Sequence, residues 1–251
     1  MKSVKLGIKL WSSNKNLLNE AVSLVERGIF DYVELKVVPG TECKYFDKAR
    51  IPYIIHASSG INIADKNMEE NNVEMIDLCL KWKKQLNAMY LVLHPDFGSL
   101  NVAVKTLNRF CGEDILVENM PKIGINNEKM IGFNVEQMKK LLRNEFGFCL
   151  DINHAIKAAI SCKKEYKVFI EDMLELKPIL CHFSDGSLKG EKDEHLDIGK
   201  GEYDIKLLCG YIKRSSIEYL TMETPKSGDG SLEKDLDNVK KLRAIINLIR
   251  R

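Results

Sequence analysis

The chain has 251 residues, 45% of them hydrophobic and 29% charged, which is ample apolar material for a closed core and excludes a disordered or fibrous chain. Its 38 basic and 36 acidic residues leave a formal net charge of +2. That balance permits contact with nucleic acid but does not argue for it, because a committed binder shows a stronger basic excess or a concentrated basic face.

Short apolar runs bounded by turn residues alternate with charged segments of helical period. The first is VKLGIKLW (4–11), followed by the helical NKNLLNEAVSLVERG and by DYVELKVV (31–38) and IPYIIHA (51–57). The helix NMEENNVEMIDLCLKWKKQLN leads to MYLVLHP (89–95), and LNVAVKTLNRF leads to DILVENM (114–120). NVEQMKKLLRN precedes FGFCLD (146–151), EYKVFIEDMLEL precedes PILCHF (178–183), and YDIKLLCGYIKR precedes EYLTMET (218–224). EKDLDNVKKLRAIINLIRR closes the chain as a last helix. Strand–helix alternation implies a parallel sheet. Eight such units in a chain of this length predict an α/β fold, one (β/α)8 TIM barrel spanning residues 1–251. An open doubly wound sheet is the alternative, but it wants a Gly-rich phosphate loop after an early strand, and G-x-G-x-x-G does not occur.

Seven cysteines, at 43, 79, 111, 149, 162, 181 and 209, include no C-x-x-C pair and are odd in number, so free thiols are expected. Cys149 and Cys181 lie inside apolar runs, where a thiol acts as a small hydrophobe. Lys5 and Lys9 interrupt the first apolar stretch too early for a secretory segment, and no run approaches the roughly 18 apolar residues of a membrane span. The expected location is the cytoplasm.

All five histidines sit at or near the ends of apolar runs. His56 ends PYIIH, His94 ends YLVLH, His154 closes CLDINH, His182 follows PILC, and His195 lies in DEHLDIGKG. Glu118, Asp151 and Glu223 close other runs. One histidine at a strand end is most often a satisfied core residue. Five in register with acidic partners point instead to a metal site, with zinc or manganese preferred and magnesium admissible. In a barrel, residues closing strands three to eight converge on one mouth although they are far apart in sequence. Lys9 and Lys36 on the first two strands either face that mouth, where they bind an anionic substrate, or point outward; the sequence leaves their register open. Asp185 and Asp197 are read either as groups orienting an imidazole or as solvated loop residues.

The series H-A-S (56–58), H-P (94–95), E-N (118–119), L-D-x-x-H (150–154), H-F-S-D (182–185), D-E-H-L-D-I-G-K-G (193–201) and E-T (223–224) resembles endonuclease IV, within the xylose isomerase-like barrel superfamily. The resemblance runs from about residue 51 to 225. It implies a three-zinc cluster, with His56, His94 and Glu118 on one ion. Glu118 would bridge to a second completed by Asp151, His182 and Glu223, and the third would take His154, Asp193 and His195. It implies hydrolysis of phosphodiesters, with abasic-site DNA as substrate and with Glu118, Asp151 and Glu223 at the reacting centre.

Single-metal sugar or sugar-phosphate isomerases and epimerases of the superfamily also use the set Glu118, Asp151, His182 and Glu223. They are the alternative, and His56, His94, His154 and the D-x-H pair favour the multinuclear reading over them. The chain departs from the DNA-repair pattern at three places. Ser59 and Gly60 stand where endonuclease IV has a bulky pair that wedges into the duplex. Glu194 replaces an arginine between the Asp and His of the third site, and MPKIGINNEKMIG replaces a Gly-rich stretch after E-N. These changes weaken the abasic-DNA substrate more than the metal cluster, leaving DNA with altered damage recognition or a small phosphorylated or sugar compound as the partner.

Overall fold

A computed structural model describes residues 4–143, 145–228 and 230–249. Eight parallel strands close into a barrel in sequence order. They are β1 (Lys5–Trp11), β2 (Tyr32–Lys36), β3 (Tyr53–His56), β4 (Leu91–Leu93), β5 (Ile115–Glu118), β6 (Gly147–Asp151), β7 (Leu180–Phe183) and β8 (Tyr219–Met222). Each lies within a run picked out from the sequence. The paired cores are shorter than those runs, so His94 and Glu223 fall just past their strands.

The helices around the barrel are α1 (Leu18–Glu26), α2 (Lys44–Asp47), α3 (Glu69–Gln85), α4 (Leu100–Leu107), α5 (Val135–Leu142), α6 (Ile152–Ser161), α7 (Tyr166–Leu174), α8 (Ile205–Arg214) and α9 (Glu233–Ile249). The expected final helix continued through residues 250 and 251, which lie outside the described residues. Two features depart from a simple alternation. Only the single turn α2 links β2 to β3. Two helices, α6 and α7, link β6 to β7, and every residue of the first from Ile152 to Ala159 is buried. Among the described residues, no helix is long and apolar enough to cross a membrane.

Side chains alternate in and out along each strand, and this alternation builds the interior in layers. Tyr32, Ile54, Val92, Leu116, Cys149, Leu180 and Tyr219 form a buried cluster inside the barrel, separate from the larger core between strands and helices. Two residues further along each of these strands the inward positions are Glu34, His56, His94, Glu118, Asp151, His182 and Thr221. One apolar layer therefore seats one polar layer. The register is staggered around the barrel: Lys9 pairs with Glu34, Asp151 with His182 and His182 with Thr221, whereas His56 pairs with Lys36 and Val92, and Glu118 with Cys149.

On β1, Gly7 makes room for the Tyr32 ring: a Cβ at this position would lie 2.3 Å from Tyr32 Cζ. Tyr32 cannot easily yield, since it is fully buried and its hydroxyl is hydrogen-bonded to Thr221 Oγ1 at 2.8 Å. Gly7→Ala is expected to destabilise the protein by about 1–3 kcal/mol, the usual cost of overpacking. Equilibrium urea unfolding checks this, and an unchanged midpoint would contradict the packing described.

Candidate metal centre

Nine residues expected as ligands meet at the C-terminal mouth of the barrel. His56, His94 and Glu118 place ligand-type atoms within 4.8 Å of one another, as do Glu118, Asp151 and His154, and His154, Asp193 and His195. A further group joins His182 and Glu223 to His56 and to Glu34, a residue the sequence reading passed over. Glu34 is the lone acidic residue inside the apolar run YVEL, but such a strand is buried on both faces, and it is the structure that places Glu34 on the inner one.

Glu118 is the centre of the cluster. Its Oε2 lies 2.9 Å from His94 Nε2 and 3.5 Å from His56 Nε2, while Oε1 lies 3.2 Å from His182 Nδ1 and 3.4 Å from His154 Nδ1. The two oxygens thus address different sides of the mouth, which is what a bridging carboxylate requires.

Imidazole orientation is set from behind. His56 Nδ1 donates to the Ala57 carbonyl at 3.0 Å, His154 Nδ1 to the Asn119 carbonyl at 2.8 Å, and His195 Nδ1 to the Glu223 carbonyl at 2.7 Å. Each therefore turns Nε2 toward the mouth, the arrangement that presents a lone pair to a cation. Asp151 fixes its own helix, since its Oδ1 accepts from the His154 amide at 2.8 Å and caps the N-terminus of α6. Asn119 ties β5 to β6 by exchanging two hydrogen bonds with the Asp151 backbone, at 2.8 and 2.9 Å.

A cation fits this donor set. Buried polar atoms normally find partners, yet His56 Nε2, Glu118 Oε1, His182 Nδ1 and Glu34 Oε1 are buried with none. Glu118 Oε1 lies 3.2 Å from His182 Nδ1, while Glu34 Oε1 faces the Lys9 ammonium at 3.4 Å. Electrostatics agree. Burial alone would raise the Glu118 and Glu223 carboxyls, but His182 with His94 in the first case, and His182 with Lys9 in the second, hold both well below the usual range. Burial lowers the His154 and His182 imidazoles but is outweighed, by Asp151 and Asp193 foremost for His154 and by Cys149 followed by Glu118, Glu223 and Glu34 for His182, so both end well above their ordinary value. His56 is the exception, brought down to about 4 by burial and by the Lys9 ammonium.

The register left open for the two lysines is now settled, and both face the mouth. Lys9 is buried and ion-paired with Glu223, with Glu34 Oε1 at 3.4 Å. Lys36 lines a cavity of about 200 Å³ with Ser58, Ser59, Gly60 and His94. Across the mouth, His94, His154 and Asp193 open onto a wider groove of about 460 Å³ walled by Met120, Met130 and Phe97. The segment 120–132 folds back on itself there, with bridges Ile123 to Lys129 and Phe97 to Met130, and it leaves Ile125 exposed at its tip.

Asp185 and Asp197 do not orient an imidazole. Asp185 accepts from the amides of Gly186, Gly199, Gly201 and Tyr203, and so shapes the loop that carries the D-x-H pair. Asp197 accepts from Asn238 Nδ2 at 2.8 Å. Glu194 also turns away from the mouth, pairing with the buried Lys157 ammonium at 2.5 Å and accepting from the Ser187 amide. Its charge is therefore neutralised by Lys157 and not directed at a ligand. The seven cysteines are free, and Cys149 and Cys181 are buried as expected.

Comparison with known proteins places this geometry in a family. The sequence profile of the xylose isomerase-like TIM barrel matches residues 30–250. The protein named "Probable endonuclease 4" of Halothermothrix orenii is 28% identical over 223 residues, covering 76% of this chain and 77% of that protein. Its namesake in Thermosipho africanus is 29% identical over 217 residues, covering 75% of each. Among solved structures, a D-tagatose 3-epimerase-like protein superposes with a TM-score of 0.77 at 20% identity, covering 99% of this chain and 100% of the other. Endonuclease IV from Thermus thermophilus superposes with a TM-score of 0.73 at 20% identity, covering 97% and 99%.

Burial lowers the His195 imidazole, but hydrogen bonding to Asp193 and the charges of Asp193 and Glu223 outweigh it and bring it up to about 9. Its protonated form therefore favours the folded state. That contribution is full below the unfolded value of about 6.5 and is lost as pH rises through about 9. Protein stripped of metal by chelator should show a thermal midpoint that falls between pH 6.5 and 9. A midpoint that rises across that window would contradict the assigned His195–Asp193 pair.

Proposed function

The chain belongs to the xylose isomerase-like TIM barrel family, and from that premise we propose that it is a metal-dependent phosphoester hydrolase of the endonuclease IV kind with a three-ion, zinc-preferring centre. One observation carries the reading. The ligand-type groups extend well beyond the four residues that a single-metal isomerase needs, and His56, His94, His154, Asp193 and His195 join them in one connected cluster. In this reading His56 and His94 share one ion with Glu118. Asp151, His182 and Glu223 share a second with it, and His154, Asp193 and His195 hold the third. Bound ions supply Lewis acidity toward a phosphoryl oxygen and acidify a coordinated water at neutral pH.

The chain's own residues do the rest. Glu118 holds two sides of the mouth at fixed separation through its two oxygens. The carbonyls of Ala57, Asn119 and Glu223 keep three imidazoles from rotating. Lys36, on the wall beside His94, offers a positive charge to an anionic substrate. The groove floored by Met120 and Met130 accepts the organic part of that substrate, with Phe97 on its rim. Ser59 and Gly60 cannot fill a gap in a base stack, so DNA cleavage at abasic sites should favour single strands or open ends over intact duplex. Free cysteines fit a reducing compartment, the cytoplasm.

A second reading draws on the superposition with the epimerase-like structure. In it Glu118, Asp151, His182 and Glu223 would hold a single ion that would supply Lewis acidity toward a sugar carbonyl, and Glu118 and Glu223 would exchange a proton on either side of the adjacent carbon. The discriminating assay supplies zinc or manganese and compares an abasic duplex, an abasic single strand, bis(p-nitrophenyl) phosphate and a panel of ketoses. The expected outcome is phosphoester cleavage that falls by about 10²-fold or more in His154→Ala, the scale seen when one transition-state contact is removed. Ketose interconversion that survives His154→Ala, with no phosphoester cleaved, would overturn the hydrolase in favour of the isomerase.

A further inference from the structure

His182 differs from the other anchored imidazoles. His56, His154 and His195 are each held from behind by a backbone carbonyl, whereas His182 Nε2 lies 3.0 Å from a side-chain carboxylate, Glu34 Oε2. Glu34 comes from β2, three strands around the barrel from β7, which carries His182, and two strands from β8, which carries Thr221. It is fully buried and gathers several contacts. Its Oε2 also accepts from Thr221 Oγ1 at 2.5 Å, and Thr221 is in turn bonded to Tyr32 at 2.8 Å. Its Oε1 faces the Lys9 ammonium at 3.4 Å, and that ammonium is paired with Glu223.

We infer that Glu34 is the positioning residue for the central ion: it holds His182 with Nε2–H turned back and Nδ1 aimed at Glu118 and Glu223, and it holds Glu223 indirectly through Lys9. His182 Nδ1 lies 2.9 Å from Glu223 Oε1 and 3.2 Å from Glu118 Oε1, so the free nitrogen meets the carboxylates proposed to share its ion. With Nε2 occupied by Glu34, Nδ1 is the only ring atom that can ligate. Glu34 itself is not a ligand. The corner between Glu34 and Glu223 already contains the Lys9 ammonium, and a cation there would displace a buried charge from both its partners. Carboxylates behind metal-bound imidazoles raise ligand basicity and fix the ring, and their loss commonly weakens metal binding 10–100-fold.

This inference rests on the metal-centre reading but is independent of which reaction the centre catalyses, so its test is a binding measurement. Wild type and Glu34→Gln are loaded with zinc in competition with a chromogenic chelator. The amide keeps the shape of the side chain and removes its charge. The expected result is full zinc stoichiometry at saturation in both proteins, with one ion bound about 10–100-fold more weakly in the variant. Equal affinities would overturn the inference, and so would the loss of one zinc equivalent at saturation, which would make Glu34 a ligand. Failure of the wild type to bind zinc would overturn the metal-centre reading itself. A second measurement needs no variant. In zinc-loaded wild type labelled with 15N-histidine, His182 should carry its proton on Nε2 and its metal on Nδ1, and metal on Nε2 would overturn the assignment.

Discussion

Five carboxylates, those of Glu34, Glu118, Asp151, Asp193 and Glu223, meet at one end of a barrel closed off beneath by Tyr32, Ile54, Val92, Leu116, Cys149, Leu180 and Tyr219. Buried negative charges at this spacing repel strongly where water does not screen them. Within the chain the compensation comes from Lys9, which pairs with Glu223 beside Glu34, and from imidazoles pushed toward protonation around Glu118 and Asp193. Both responses are consistent with the cation site proposed above. The carboxylates raise the affinity of His154, His182 and His195 for protons, so metal binding at these imidazoles would compete with protonation and depend on pH.

The barrel makes this concentration possible. In a closed eight-stranded barrel the interior layers draw their side chains from alternate strands, and the inward positions beneath the carboxylates are apolar and buried. The polar layer is therefore confined to the rim, where loops bring in the remaining groups. Asp193 and His195 arrive on a loop held by Asp185, whose carboxylate collects four backbone amides. Lys157 and Glu194 brace the same loop from outside the mouth. The exchange of an expected arginine for Glu194 thus serves loop structure.

Much of this was legible in the sequence, and for a physical reason. Strands buried on both faces read as continuous apolar runs, so a histidine or carboxylate ending such a run is conspicuous, as with His56, Glu118 and Asp151. The sequence reading names no helix between FGFCLD and EYKVFIEDMLEL, and the structure places α6 there, with Ile152 to Ala159 all buried. Glu34 was missed because it lies in the middle of its strand, where position alone does not announce a function. The roles of Asp185, Asp197 and Glu194 depend on long-range hydrogen bonds to residues such as Gly201, Asn238 and Lys157, which no local pattern encodes.

The central claim is that the mouth holds several ions bridged through Glu118. Native mass spectrometry of protein purified without chelator and saturated with zinc tests it most directly, with Glu118→Gln measured alongside. The account predicts three ions per chain in the wild type and the loss of more than one in the variant. A wild type that saturates at a single ion, or a variant that loses only one, would contradict it.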